Sequence, residues 1–92
     1  MGIVTLDGHL ICSDETQAQI VRDYIDEHIR LSRAEPGCLH FEVRATKDPL
    51  IWQVSESFIN ETAFQTHQVR TRNSIWAEKT RHIRRNFVKL ED

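Results

Sequence analysis

The stretch SRAEPGCLHFEV, residues 32–43, joins a predicted helix to a predicted strand through a very short turn. The amphipathic pattern before it predicts one long helix over residues 14–34, with Asp14 as its N-cap. Pro36 cannot continue a helix, and Gly37 accepts a positive φ without penalty, so the helix ends abruptly. After the turn the residues alternate with period two, which predicts a strand with one buried face. That face carries Leu39, Phe41, Val43 and Ala45.

The remaining elements lie on either side of this stretch. We expect strands over residues 3–12, 50–58 and 82–90 and a second helix that begins after Asn60. Ser74 can cap a further turn, so that region is either one bent helix or two short ones. The order β-α-β-β-α-β predicts an α+β, ferredoxin-like fold with a four-stranded antiparallel sheet and helices on one face. Pairing two such sheets in a homodimer would cover the other face.

Length and composition place the chain among ordinary globular domains. Its 92 residues predict a single domain, residues 1–92, with 39% hydrophobic and 28% charged residues. No apolar run approaches the roughly 18 residues of a membrane span, and no leader pattern is recognisable, so we expect a cytoplasmic protein without a membrane partner. Neither Cys12 nor Cys38 belongs to a CxxC motif, which favours buried structural thiols over a metal or redox pair.

Positive charge is concentrated near the C-terminal end. Residues 70–89 contain seven cations and one acid, Glu78. Such a stretch could attract RNA, but few aromatic residues are interleaved with the charges, which favours a solvated basic face. We therefore expect no nucleic-acid partner.

Standard catalytic and cofactor motifs are not found. Three glycines cannot form GxGxxG or a P-loop, and five histidines are scattered without a metal-ligand spacing, so we expect neither a nucleotide nor a metal site. His67 shares a helix face with Ala63 and Phe64 that should look toward the sheet. A neutral imidazole there could accept a proton from a phenolic hydroxyl; the alternative is a core histidine bonded to a backbone carbonyl or to Glu56.

Glu56 interrupts the apolar face of its predicted strand. A carboxylate among apolar neighbours is costly unless it is paired, so Glu56 is either a structural hydrogen-bond anchor or an orienter for His67. Four large aromatics in the second half of the chain either wall an apolar pocket for a flat ring or form the core. These are Trp52, Phe58, Phe64 and Trp76.

The motifs together resemble a known family. SRAEPGCLHFEV, a strand containing SESF, and then NETAFQTHQVRT with a Trp shortly after are similar to the antibiotic biosynthesis monooxygenase family, whose small dimeric α/β barrels include quinol monooxygenases. Its most specific pieces are EPGCL and the ExF plus AxxxH pair. The family often has Trp at the position of Phe58, which alters one pocket wall.

The resemblance implies that a phenolic or quinol-type aromatic is oxidised by molecular oxygen without flavin, haem or metal. His67 would be the base or orienting group and Glu56 its partner, with the four aromatics around the substrate. Arg72 is one candidate among several arginines for stabilising the substrate anion. A haem-degrading branch of the family has an axial histidine where this chain has Ala77 and an asparagine where it has Gly8, so we expect no haem unless His82 substitutes. The alternative function is a non-catalytic carrier or sensor of small molecules on the same barrel.

Overall fold

The computed structural model describes residues 2–92 and contains four strands and three helices. They follow one another as β1 (Val4–Ile11), α1 (Glu15–Arg33), β2 (Cys38–Ala45), β3 (Ile51–Phe58), α2 (Glu61–Arg72), α3 (Ile75–Lys79) and β4 (Arg84–Glu91). The sheet has the strand order β2-β3-β1-β4, and each neighbouring pair is antiparallel. The predicted ferredoxin-like α+β fold is confirmed.

Each helix begins at a side chain that accepts a hydrogen bond from the backbone N–H three residues further on. The three caps are Asp14, Asn60 and Ser74, with donor–acceptor distances of 3.0, 2.8 and 3.2 Å. Such caps satisfy donors that the first turn leaves unpaired, each contributing about 1 kcal/mol. Because Ser74 starts a new helix, the region after Asn60 forms two helices rather than one bent helix.

Gly37 serves a purpose different from the predicted one. No glycine among residues 2–92 has a positive φ, so the turn after α1 does not depend on left-handed backbone. Instead, a Cβ atom at Gly37 would lie 2.4 Å from the Cβ of Ala63 on α2. The carbonyl of Gly37 also accepts a hydrogen bond of 2.9 Å from the N–H of Ile59. Glycine is therefore needed here because α2 approaches the turn too closely for any side chain.

The predicted buried face of β2 is wrong at both ends, because Leu39 and Ala45 are exposed. The register between β2 and β3 shifts between Cys38 and His40, so Leu39 is an extra residue in a β-bulge. Its side chain is 53% exposed, whereas Phe41 is buried as predicted. The bulge places Cys38, which is half-buried, on the core side instead. Of the two thiols predicted to be buried, only Cys12 is fully so.

The helices pack on one face of the sheet through two groups of buried residues. One group joins Leu10 and Val54 of the sheet to α1 and Trp76, and the other joins Val4 and Phe58 to α2. The opposite face carries exposed apolar side chains on β4, namely Val88 and Leu90, which are 60% and 61% exposed. Within residues 2–92, no helix is long and apolar enough to cross a membrane.

Candidate active site

A cavity of about 220 Å³ lies between the helices and the sheet. We call it the inner cavity. Its apolar lining includes Leu6, Leu10, Phe41, Val54 and Phe87. Among these apolar walls lie a few polar groups, contributed by α1, β3, α2 and β4. A concave, largely apolar space with a few convergent polar groups is typical of a site for a small organic molecule.

His67 is more deeply buried than the other two acid–base groups of the inner cavity, His28 and Glu56. Its side chain is 2% exposed, and its Nδ1 atom lies 3.0 and 3.2 Å from the two carboxylate oxygens of Glu35. A carboxylate can only accept hydrogen bonds, so Nδ1 carries the proton and donates it. The other ring nitrogen, Nε2, is then left with its lone pair available to accept a proton.

Glu35 is itself held in place by α2. The Nε atom of Arg70 donates to a Glu35 carboxylate oxygen at 2.5 Å, and Arg70 Nη2 donates to the hydroxyl of Ser32 at 2.8 Å. Charged partners with two fixed contacts orient a carboxylate more firmly than a single neutral hydrogen bond does. The buried side chain of Ser32 completes a continuous chain of contacts from α1 to His67.

Glu35 was missed in the sequence analysis, although a signal existed. An acid immediately after the C-terminal end of a helix is electrostatically unfavourable, because the last carbonyl groups carry partial negative charge. A glutamate two residues beyond Arg33 therefore indicates another role for that carboxylate. Its contact with His67 spans 32 residues of sequence, so its partner could not be identified from local spacing.

Glu56 faces the second nitrogen of His67. One carboxyl oxygen, Oε1, lies 3.6 Å from His67 Nε2 and is buried without a hydrogen-bond partner. Burial, assisted by the negative charges of Glu35 and Asp7, raises the pKa of Glu56 to about 8. Glu56 is thus mostly a neutral acid near pH 7.

His67 is also neutral near pH 7. Burial lowers its pKa, and the adjacent Glu35 carboxylate opposes that shift only in part. The contact between His67 and Glu56 therefore joins two neutral groups and is not an ion pair. The hydroxyl of Thr71 lies 3.3 Å from His67 Nε2, within reach to donate. A ligand hydroxyl entering the cavity would find a neutral base and a neutral acid side by side.

His28 is a second buried histidine that the sequence analysis did not identify as a site residue. Its ring stacks on Trp76, with centroids 5.0 Å apart and planes inclined by 9°. Nδ1 is buried without a partner, and burial, assisted by the charge of Arg70, lowers the pKa of His28 to about 3. The signal in the sequence was its position on the buried stripe of α1, three residues after Ile25.

The structure brings some of the predicted site residues together and leaves others apart. Glu56, His67 and Trp76 line the inner cavity. Phe58 packs against His67 with ring centroids 4.8 Å apart, and Phe64 meets the edge of Phe58. These two phenylalanines belong to the packed core around His67 and do not line the cavity.

Trp52 and Arg72 lie away from the inner cavity. Trp52 is half-buried against the first core group, and its Nε1 atom is buried without a hydrogen-bond partner. Arg72 borders a shallow depression on the outside of the molecule. The cation that does line the cavity is Arg85, whose Nη1 atom donates to the carbonyls of Thr80 and Ile83 at 3.0 Å each.

The basic stretch does not form one open patch. Arg70 pairs with Glu35, and the Lys89 ammonium lies 2.8 Å from a carboxylate oxygen of Glu61. Arg85 is bound to backbone carbonyls as described above. Three of the seven cations in residues 70–89 are therefore engaged within the chain, which weakens the alternative of an RNA-binding surface.

Comparison with known proteins identifies relatives of the whole fold. A family model described as antibiotic biosynthesis monooxygenase matches residues 13–72. A comparison with curated protein sequences finds no match.

Solved structures resemble the chain over nearly its full length. A "putative antibiotic biosynthesis monooxygenase" from Deinococcus radiodurans is 22% identical, with a TM-score of 0.81, covering 97% of this chain and 91% of that one. One of the same description from Bacteroides thetaiotaomicron is 22% identical, with a TM-score of 0.81 and coverages of 99% and 88%. A conserved protein from the latter organism, described as a "possible oxidoreductase", is 14% identical, with a TM-score of 0.80 and coverages of 99% and 98%. At these identities the likeness shows a shared fold.

Proposed function

The chain belongs to the antibiotic biosynthesis monooxygenase family, and on this premise we propose that it oxidises a small phenolic or quinol-type aromatic with molecular oxygen. The observation that carries the proposal is the pair of neutral groups, His67 and Glu56, facing each other across 3.6 Å in an apolar cavity. Such a pair can take a proton from a bound hydroxyl, and the neutral Glu56 puts no negative charge directly beside the anion that results.

Proton removal is the step that the protein performs. A phenolic hydroxyl that lies within hydrogen-bond distance of both His67 Nε2 and Glu56 gives its proton to His67 Nε2, and the Glu35 carboxylate stabilises the imidazolium through Nδ1–H. Glu56, as a neutral acid, donates a hydrogen bond to the phenolate oxygen. An acid on one side of an imidazole and a substrate hydroxyl on the other is a recurrent arrangement for proton transfer.

The deprotonated ring supplies the electrons. A phenolate is a delocalised anion that can pass an electron to oxygen, and recombination of the two radicals forms a carbon–oxygen bond at a ring carbon bearing hydrogen. Cleavage of the O–O bond then leaves a carbonyl on that carbon, and the second oxygen atom departs as water. One phenol and one O₂ give one quinone and one water, so the balance needs neither an external reductant nor a bound cofactor. The apolar walls exclude water from the anion.

We also propose that the protein is a homodimer that pairs the sheet faces opposite the helices. Val88 and Leu90 on β4 are 60% and 61% exposed, and both point to that face because they pair with Asp7 and Thr5 of β1. Exposed aliphatic side chains on a sheet face are commonly covered by a partner. A second copy offers the same surface and would close the two sheets into a barrel.

Oxygen uptake tests the catalytic proposal. The purified, chelator-treated protein is given a panel of naphthols and quinols, with heat-inactivated protein as the correction for spontaneous oxidation. We expect uptake above that background and a loss of it in His67→Ala, whereas His82→Ala, a change at an exposed histidine outside the cavity, should behave as wild type. Binding of these compounds without uptake would refute the oxygenase and support a carrier or sensor.

A further inference from the structure

A second cavity lies on the other side of Trp76. It has a volume of about 230 Å³, lies between α1 and α3, and is lined by Tyr24, Leu31 and Ile75 among others. We call it the outer groove. His28 and Trp76 line both the outer groove and the inner cavity, so their stacked rings form the partition between the two spaces.

We propose that the outer groove is a binding site for the distal ring of a polycyclic hydroxylated aromatic whose reacting ring occupies the inner cavity, and that Trp76 is the movable wall that joins the two. The proposal rests on the proposed function, because it takes the inner cavity as the place of the reacting ring. It adds a ligand site and a size preference that the site around His67 does not itself define.

The volume of the inner cavity is the first argument. An engineered cavity of about 150 Å³ binds benzene, so a space of about 220 Å³ accommodates one ring and at most a second fused one. A third fused ring has to extend beyond it. With Trp76 displaced, the outer groove adds a comparable volume in direct continuity with the first.

The surroundings of Trp76 allow it to move. Close-packed side chains are held because movement requires neighbouring atoms to be displaced. Trp76 is 6% exposed and packs in the first core group, but a cavity lies on each side of its ring, so there is space on both sides into which the indole can turn. Its stacking partner His28 remains on α1 and offers a flat face to whatever ring replaces the indole.

The lining of the outer groove suits an apolar, planar occupant. Ile75 lines the groove and is 63% exposed. Contact between an aliphatic side chain and water is unfavourable, so an apolar ligand that covers Ile75 is favoured. The one carboxylate of the lining, Glu27, forms hydrogen bonds of 2.8 and 2.6 Å with Arg30. A neutral fused ring can thus enter between Tyr24 and Ile75 without displacing an ion pair.

Two probes of different size test the proposal. Binding of 2-naphthol and of 1-hydroxyanthracene is measured under argon, so that no turnover occurs, by ligand fluorescence and by ¹H–¹⁵N NMR of the full chain. We expect 2-naphthol to shift resonances of the inner cavity alone and 1-hydroxyanthracene to shift those of Leu31 and Ile75 as well. Failure of 1-hydroxyanthracene to bind, or shifts confined to the inner cavity, would overturn the proposal.

A blocking variant separates the two ligands. Ile75→Arg places a long cation at the groove and should weaken binding of 1-hydroxyanthracene about tenfold while leaving 2-naphthol unchanged. Val69→Arg is the matched control, since Val69 is an exposed aliphatic residue of α2 that lines neither space. Equal effects of Ile75→Arg on both ligands, or none on either, would refute a groove subsite.

A smaller aromatic side chain at position 76 gives an independent test of the movable wall. Trp76→Phe should tighten binding of 1-hydroxyanthracene, because the partition is smaller; unchanged or weaker binding in a folded variant counts against a movable wall. All these measurements are of binding, so they are distinct from the oxygen-uptake test. Binding of 1-hydroxyanthracene in both spaces without oxygen uptake would support the groove subsite and refute the oxygenase. Oxygen uptake without binding in the outer groove would support the oxygenase and refute the subsite.

Discussion

Replacing Glu56 by Gln should change how the stability of the protein depends on pH. The carboxyl group has a pKa of about 8 in the folded chain against 4.5 as its ordinary value, so between these pH values the folded state holds a proton that the unfolded state has released. Stability is therefore highest below pH 4.5 as far as this group is concerned, and is lost as pH rises to 8. The slope is about 1.4 kcal/mol per pH unit, or about 5 kcal/mol over the whole window. Gln has no proton to lose and lacks this slope.

Urea unfolding at fixed protein concentration, followed by far-ultraviolet circular dichroism between pH 4.5 and 8.5, measures the effect. The difference in unfolding free energy between Glu56→Gln and wild type should grow in favour of the variant as pH rises. The histidine contributions, which destabilise at low pH because burial lowers the pKa of His28 and His67, occur in both proteins. Glu78→Gln, at an exposed position, is the control. A difference that stays constant across the range would refute the buried neutral acid.

Three further outcomes follow from the site, the turn and the sheet face. Glu35→Gln removes the charge that stabilises the His67 imidazolium, so turnover should fall on the order of 100-fold, and the acidic limb of the pH–rate profile, which reports the protonation of His67, should shift to lower pH. Gly37→Ala should destabilise the fold by about 1–3 kcal/mol in urea unfolding, because the new Cβ overlaps Ala63. Leu90→Lys should convert the proposed dimer to a monomer of 10.8 kDa in light scattering.

Each of these outcomes has its own control. Glu35→Asp keeps the charge and should restore part of the turnover, whereas equal losses in both variants would indicate a merely structural carboxylate. Ala63→Gly should rescue Gly37→Ala by removing the overlapping atom; no rescue would mean that the strain lies elsewhere. Val69→Lys should leave the molecular mass unchanged, and a wild-type mass of 10.8 kDa at micromolar concentration would contradict the dimer outright.

The fold could be predicted because its signals are local. Helix caps at Asp14 and Asn60 act over three residues, and alternation along β3 reports burial directly. The bulge at Leu39 was missed because neither Leu39 nor its two neighbours in the strand is a glycine or proline, and one extra residue reverses the expected face of the residues before it. Local patterns thus predicted the element order and the elements on which His67 and Glu56 lie.

The candidate site could be predicted only in part, because its contacts connect distant segments. His67 and Glu56 were identified from a helix face and an interrupted strand pattern. Glu35 and Arg70 are in contact although 35 positions separate them in the sequence. Taken singly, each has the sequence pattern of an ordinary surface charge. His28 was hidden by the apolar stripe that it shares. Periodicity indicates which residues are buried, but the partners of buried polar groups depend on tertiary packing.

The close approach of Gly37 and Ala63 should limit which residues related sequences can carry at these two positions. The two positions share one small volume, so a larger residue at either one requires the loss of atoms at the other. Homologues should therefore vary there in a correlated way. Because Glu35 lies two residues before Gly37, and His67 one helical turn after Ala63, this pair also fixes the spacing between the carboxylate and the imidazole. Chains that keep the small pair would then keep the geometry for proton transfer even where the aromatic walls, and with them the substrate, have changed.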